Sequence, residues 1–121
     1  MRIRILSLAA TIAATLAISP AWSHTHLVRS TPAANATVAA SPKTITLTFS
    51  ERLVPAFSKF DLVMPSMQSM AVPLKTAVSA DRMSIVGSPQ HALQRGAYKI
   101  LWTAASADGH KMKGEVAFSV R

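Results

Sequence analysis

Three groups of residues in this 121-residue chain have types and spacings that could do chemistry. The first is His24, with His26 two residues on. Ala21-Trp22-Ser23 places small residues at the two positions a signal peptidase reads. Cleavage after Ser23 would make His24 the N-terminus. Its free amine and ring Nδ1 then form a chelating pair, once both are deprotonated. An α-amine titrates near 7.7–8.0 as a rule, so binding near neutral pH is feasible. Nitrogen donors in a square arrangement suit Cu(II), which also heads the divalent affinity order. Alone, His24 reads equally as a histidine that happens to follow a cleavage site.

The second group is Asp108-Gly109-His110. A carboxylate and an imidazole two residues apart, splayed by a glycine turn, can converge on one ion. Taken by itself the tripeptide also reads as an Asp-Gly hairpin turn with an exposed histidine. The third group is Met64, Met67 and Met70, spaced by three and interleaved with Pro65, Ser66, Gln68 and Ser69. Thioether sulfur is a soft donor that selects Cu(I). Methionines also fill irregular gaps in cores, but the Pro and Ser residues here predict a loop. His91, after Pro89-Gln90, reads as an exposed surface residue.

These groups need elements to position them. Residues 1–23 read as a cleaved signal peptide: Arg2 and Arg4, an uncharged apolar run from Ile5 to Ile18, then Pro20. The run is shorter than the roughly 20 residues that span a bilayer. Residues 24–121 then form one domain of 98 residues with a modest core. With no cysteine, the domain is held by packing alone and has no thiolate ligands. Without Arg2 and Arg4 the domain has 11 basic and 5 acidic residues, a net charge of +6. The basic residues are scattered and aromatics are few, so the charge reads as solubility and no nucleic-acid partner is expected.

The domain reads as short strands cut by turns. In Thr44 to Phe49, Ile45, Leu47 and Phe49 alternate with threonines. Further strands are expected at 27–30, 59–64, 74–78, 83–86, 97–103 and 115–120. Tyr98, Ile100 and Trp102 share one face, as do Val116, Phe118 and Val120. Thr31-Pro32, Ser41-Pro42, Gly87-Ser88-Pro89, Arg95-Gly96 and Asp108-Gly109 punctuate them. Residues 31–42 read as a surface loop. Residues 50–57 have room for one helical turn, capped by Ser50 and limited by Pro55.

In order and spacing, several segments resemble the CopC family of periplasmic copper-resistance proteins over essentially the whole mature chain. They are His24, Ser30-Thr31-Pro32, Leu47-Thr48-Phe49-Ser50-Glu51, the methionine segment, Gly96-Ala97-Tyr98-Lys99-Ile100-Leu101-Trp102, and Ser106-Ala107-Asp108-Gly109-His110 followed by Gly114 and Phe118. The resemblance implies an all-β fold: a small Ig-like or cupredoxin-like Greek-key sandwich or barrel of about seven strands. It implies a Cu(II) site from His24, Asp108 and His110, and, as in some members, a Cu(I) site from Met64, Met67 and Met70. The fuller family loop has more methionines and a histidine; this one has three methionines and no histidine. His26 matches members with a His-x-His start, as an extra ligand or a supporting group.

The function these features imply is a periplasmic copper carrier or buffer in copper homeostasis and resistance, and not an enzyme. It would pass copper to an inner-membrane importer or another periplasmic protein. Two other classes are compatible with parts of the pattern. A copper oxidase-type enzyme would use a terminal histidine brace but would need a second histidine and open positions, where this chain offers the carboxylate of Asp108. An Ig-like interaction domain would bind no metal.

Overall fold

A computed structural model describes residues 25–121; His24 and the signal peptide expected over 1–23 lie outside the described residues. Nine strands follow one another: β1 (Leu27–Thr31), β2 (Ala36–Val38), β3 (Ile45–Phe49), β4 (Lys59–Met64), β5 (Met70–Val72), β6 (Leu74–Val78), β7 (Ser84–Pro89), β8 (Gly96–Ala105) and β9 (Lys111–Val120). They form two sheets, in the orders β1-β3-β7-β6 and β2-β9-β8-β4-β5. The fold is therefore a two-sheet sandwich.

The alternation read from the sequence is what closes it. Ile45, Leu47 and Phe49 point inward from one sheet, and Tyr98, Ile100, Trp102, Val116 and Phe118 from the other. Each such side chain contributes about 1.5–3 kcal/mol relative to exposure. Phe49 meets Trp102 edge-on with ring centroids 5.0 Å apart, and Tyr98 stacks on Phe118 at 5.5 Å. Trp102 lies across from Gly114 in the β8–β9 register, and a Cβ at Gly114 would come within 2.4 Å of its ring. The glycine is there because the indole occupies the space of a side chain.

Two strands go beyond the expected seven. β2 sits in the segment read as a surface loop, pairing parallel to the end of β9. Its three residues, Ala-Thr-Val, are too few to show alternation. β5 lies in the methionine segment, which is not a loop throughout: β4 runs up to Met64, β5 starts at Met70, and the two residues are register partners. The turn expected over 50–57 is a 3-10 turn at Pro55–Phe57. Proline starts it rather than limiting it, since its fixed φ and missing N–H suit the first position. Ser50 does not cap that turn; its hydroxyl accepts the His26 N–H.

β8 and β9 fix the distance between the chemical groups. Their ten-residue ladder runs from Gly96↔Val120 to Ala105↔Lys111, roughly 30 Å at the usual strand rise. Met64 follows Val63, which pairs with Lys99 near the Gly96 end. Asp108 and His110 lie in the connection beyond the Ala105 end. The two candidate ligand groups thus occupy opposite ends of the sandwich.

Candidate metal centres

At the Ala105 end the β8–β9 connection is five residues, Ser106 to His110. It is closed by Ser106 N–H to His110 O (3.1 Å) and Gly109 N–H to Ser106 O (3.0 Å). Gly109 adopts φ +88°, a conformation L side chains rarely take. Asp108 organises the turn. Its Oδ1 accepts the Ser106 hydroxyl and the His110 backbone N–H (3.0 Å), and its Oδ2 lies 3.1 Å from His110 Nδ1. Ser106 is buried, while Asp108 and His110 are exposed. The Ser106 hydrogen bond first, then the His110 N–H, hold the Asp108 carboxyl below its ordinary value. The result is an anionic carboxylate beside an imidazole at the surface. The contact between Nδ1 and Asp108 Oδ2 sets the orientation of the His110 ring.

Hydrogen bonds draw the start of the described chain to this same end. Leu53 bridges to Ser106, and Val54 N–H donates to Ala105 O at 2.8 Å. Just upstream, Ser50 and His26 clamp each other: Ser50 N–H to His26 O (3.0 Å) and His26 N–H to Ser50 Oγ (3.1 Å). Buried Thr25 donates its hydroxyl to Glu51 Oε2 at 3.2 Å. The backbone of residues 25 and 26 is therefore tied to 50 and 51, and through 53 and 54 to the Asp108 turn. His26 itself is exposed. Among the described residues no three His, Cys, Asp or Glu side chains converge on one point. What is present is the Asp108–His110 pair and an anchored Thr25, one residue after His24.

Sequence reasoning did not single out Ser106, Glu51 or Thr25 as participants. The only signal for Ser106 and Glu51 was their place in the segments that carry the family resemblance; Thr25 had none. The Thr25–Glu51 hydrogen bond spans 26 positions and the Leu53–Ser106 bridge joins segments more remote still in sequence, which local spacing cannot show.

At the Gly96 end the three methionines are not equivalent. Met64 is 7% exposed and belongs to the core, with its methyl towards Gly96. Met67, on a 3-10 turn of Pro65–Met67, and Met70 are 53% and 50% exposed. Gln68 and Ser69 turn the chain back with positive φ. Met64 and Met70 share a face as a cross-strand pair; Met67 sits out on the turn.

The CopC domain model matches residues 27–121. This chain belongs to the CopC family. Among curated relatives, copper resistance protein C of Xanthomonas campestris pv. juglandis is 42% identical over 115 residues, covering 91% of this chain and 90% of its own. Protein YobA of Escherichia coli K12 is 35% identical over 98% of this chain and 96% of its own. Among solved structures, PcoC, a methionine-rich copper resistance protein from Escherichia coli, superposes with a TM-score of 0.74 at 39% identity. It covers 82% of this chain and all of its own. CopC from Methylosinus trichosporium OB3b gives 0.73 at 30% identity, over 80% of this chain and 93% of its own. The family and the sandwich read from the sequence are both borne out.

Proposed function

We propose that this CopC-family chain is a periplasmic copper carrier or buffer acting in copper resistance, and that it is not an enzyme. Residues 1–23 are removed as a signal peptide, leaving residues 24–121 as one copper-binding domain. Cu(II) is held by the His24 amine and ring, the His110 ring and the Asp108 carboxylate, with His26 beside them. Cu(I) is taken by the methionine hairpin, from Met64, Met67 and Met70. Copper is handed to an inner-membrane importer or another periplasmic copper protein.

The observation that carries this reading is the Asp108–His110 turn. Its carboxylate is ionised, its imidazole is oriented, and both stand at the end of the sandwich to which Thr25 is tied. A carboxylate beside nitrogen donors offsets the charge of Cu(II) and fills a coordination position that an oxygen-activating copper enzyme would need open. Relatives named for copper resistance support the same role. The test is electron paramagnetic resonance of the mature protein loaded with one Cu(II). The expected spectrum shows nitrogen hyperfine coupling that loses a contribution in His110→Ala. An oxygen-only spectrum unaffected by that change would refute it.

A further inference from the structure

The methionine hairpin opens on a concavity that also contains a histidine. A hollow of about 130 Å³ is lined by Met64 and Met70 together with Leu93, Tyr98, His91 and Gln94. His91 comes from the β7–β8 connection, 21 positions after Met70 in sequence. Its placement is built in. Gln90 N–H donates to Pro73 O (3.2 Å), which ties the connection to the residue that follows β5. Leu93 is buried, and its N–H donates to Ser41 Oγ at 2.7 Å. The Tyr98 hydroxyl donates to Gln94 O at 2.7 Å. These bonds flank His91 on both sides and anchor the connection that brings it to the hollow.

We propose that His91 is a ligand of the soft-metal site, joining Met64 and Met70 in a two-sulfur, one-nitrogen set for Cu(I). The proposal rests on the reading of the methionine hairpin as a Cu(I) site. Met64 and Met70 are register partners, so their side chains start on one face with Cβ atoms about 4.5–5.5 Å apart. Two flexible thioethers at that spacing can reach one ion. An imidazole is a donor that Cu(I) accepts alongside sulfur. No carboxylate lines the hollow, and its walls are mostly apolar. Such walls disfavour a doubly charged ion and suit a singly charged one. Met67 does not line the hollow; it stands on the exposed turn and is the lesser contributor of the three methionines.

The experiment is anaerobic competition for Cu(I) between the mature protein and bicinchoninate, on native protein, His91→Asn, Met70→Leu and Met67→Leu. All three positions are exposed, so the fold should survive each change. Cu(II) affinity, read at the far end of the sandwich, is measured alongside. His91→Asn and Met70→Leu should each weaken Cu(I) binding by about tenfold or more, Met67→Leu by less, and none should alter Cu(II) binding. With Ag(I) as a redox-inert probe, nitrogen-15 spectra should show a ring nitrogen of His91 shifting on binding. If Met70→Leu weakens Cu(I) binding and His91→Asn does not, His91 is no ligand, though the hairpin still binds Cu(I). If no variant changes Cu(I) affinity, the hairpin reading fails and this inference fails with it.

Discussion

Met64 has two roles, core residue and sulfur donor, and substitution can separate them. It is the last residue of β4, 7% exposed, in the same buried cluster as Leu93 and Tyr98. Met64→Ala removes a thioether chain from a site backed by that cluster. Large-to-small changes of this kind cost about 2–5 kcal/mol. Met64→Leu keeps volume and loses only the sulfur, at a cost below about 1.5 kcal/mol. In a domain of this size each kcal/mol lowers Tm by roughly 4–8 °C. Met64→Ala should therefore melt about 8–40 °C below native protein, and Met64→Leu within about 12 °C. Both should lose Cu(I) affinity to a similar degree when assayed well below their melting temperatures. Urea denaturation and chelator competition on the same samples give both numbers. If Met64→Leu keeps native Cu(I) affinity, Met64 is packing alone. If Met64→Ala costs under about 1 kcal/mol, the residue is not in the core, and the separation fails.

Three further outcomes follow from the same geometry. His110→Ala and Asp108→Ala should each weaken Cu(II) binding while leaving circular dichroism unchanged, because both side chains are exposed in a turn; loss of strand signal along with binding would instead mark a structural hairpin. Cu(II) affinity should fall as pH drops from about 8 to about 5, because amine and imidazole nitrogens bind a metal only after shedding a proton. The lowered Asp108 carboxyl stays ionised across that window, and its support of the turn is lost only as pH falls through that depressed value. A Cu(II) titration series flat over that range would exclude nitrogen ligation. Gly114→Ala should destabilise by about 1–3 kcal/mol through collision with the Trp102 ring, which Phe49 backs; a calorimetric Tm equal to native would show that the ring can move aside.

Much of the sandwich is legible in the sequence because alternation and burial are the same fact. Ile45, Leu47 and Phe49 are read inward from spacing and are inward. Where alternation fails, so does the reading. β8 continues through Ala104 and Ala105, which have low strand preference, because β9 supplies their pairing. β2 and β5 are three residues each and exist through partners distant in sequence. For the sites, spacing leaves Asp108-Gly109-His110 open between a ligand pair and a hairpin turn, the family resemblance implies ligands, and the structure joins the two side chains through a hydrogen bond. The methionine segment misleads in one respect. Pro65, Ser66, Gln68 and Ser69 are turn residues, but they close a hairpin whose first methionine is core. The hydrogen bonds from Thr25 to Glu51 and from Gln90 to Pro73, the latter bringing His91 to the hollow, are long-range, and spacing along a chain carries no information about them.

The proposed completion of the Cu(II) site by the free amine and imidazole of His24, beside Asp108 and His110, depends on that amine. It is tested most directly by Cu(II) titration of two proteins whose N-termini are verified by mass spectrometry. One begins at His24 and the other carries a single additional residue before it. The extension keeps every imidazole and carboxylate but removes the amine from the chelate. Cu(II) affinity should fall sharply for the extended protein; equal affinity for the two would refute a role for the amine.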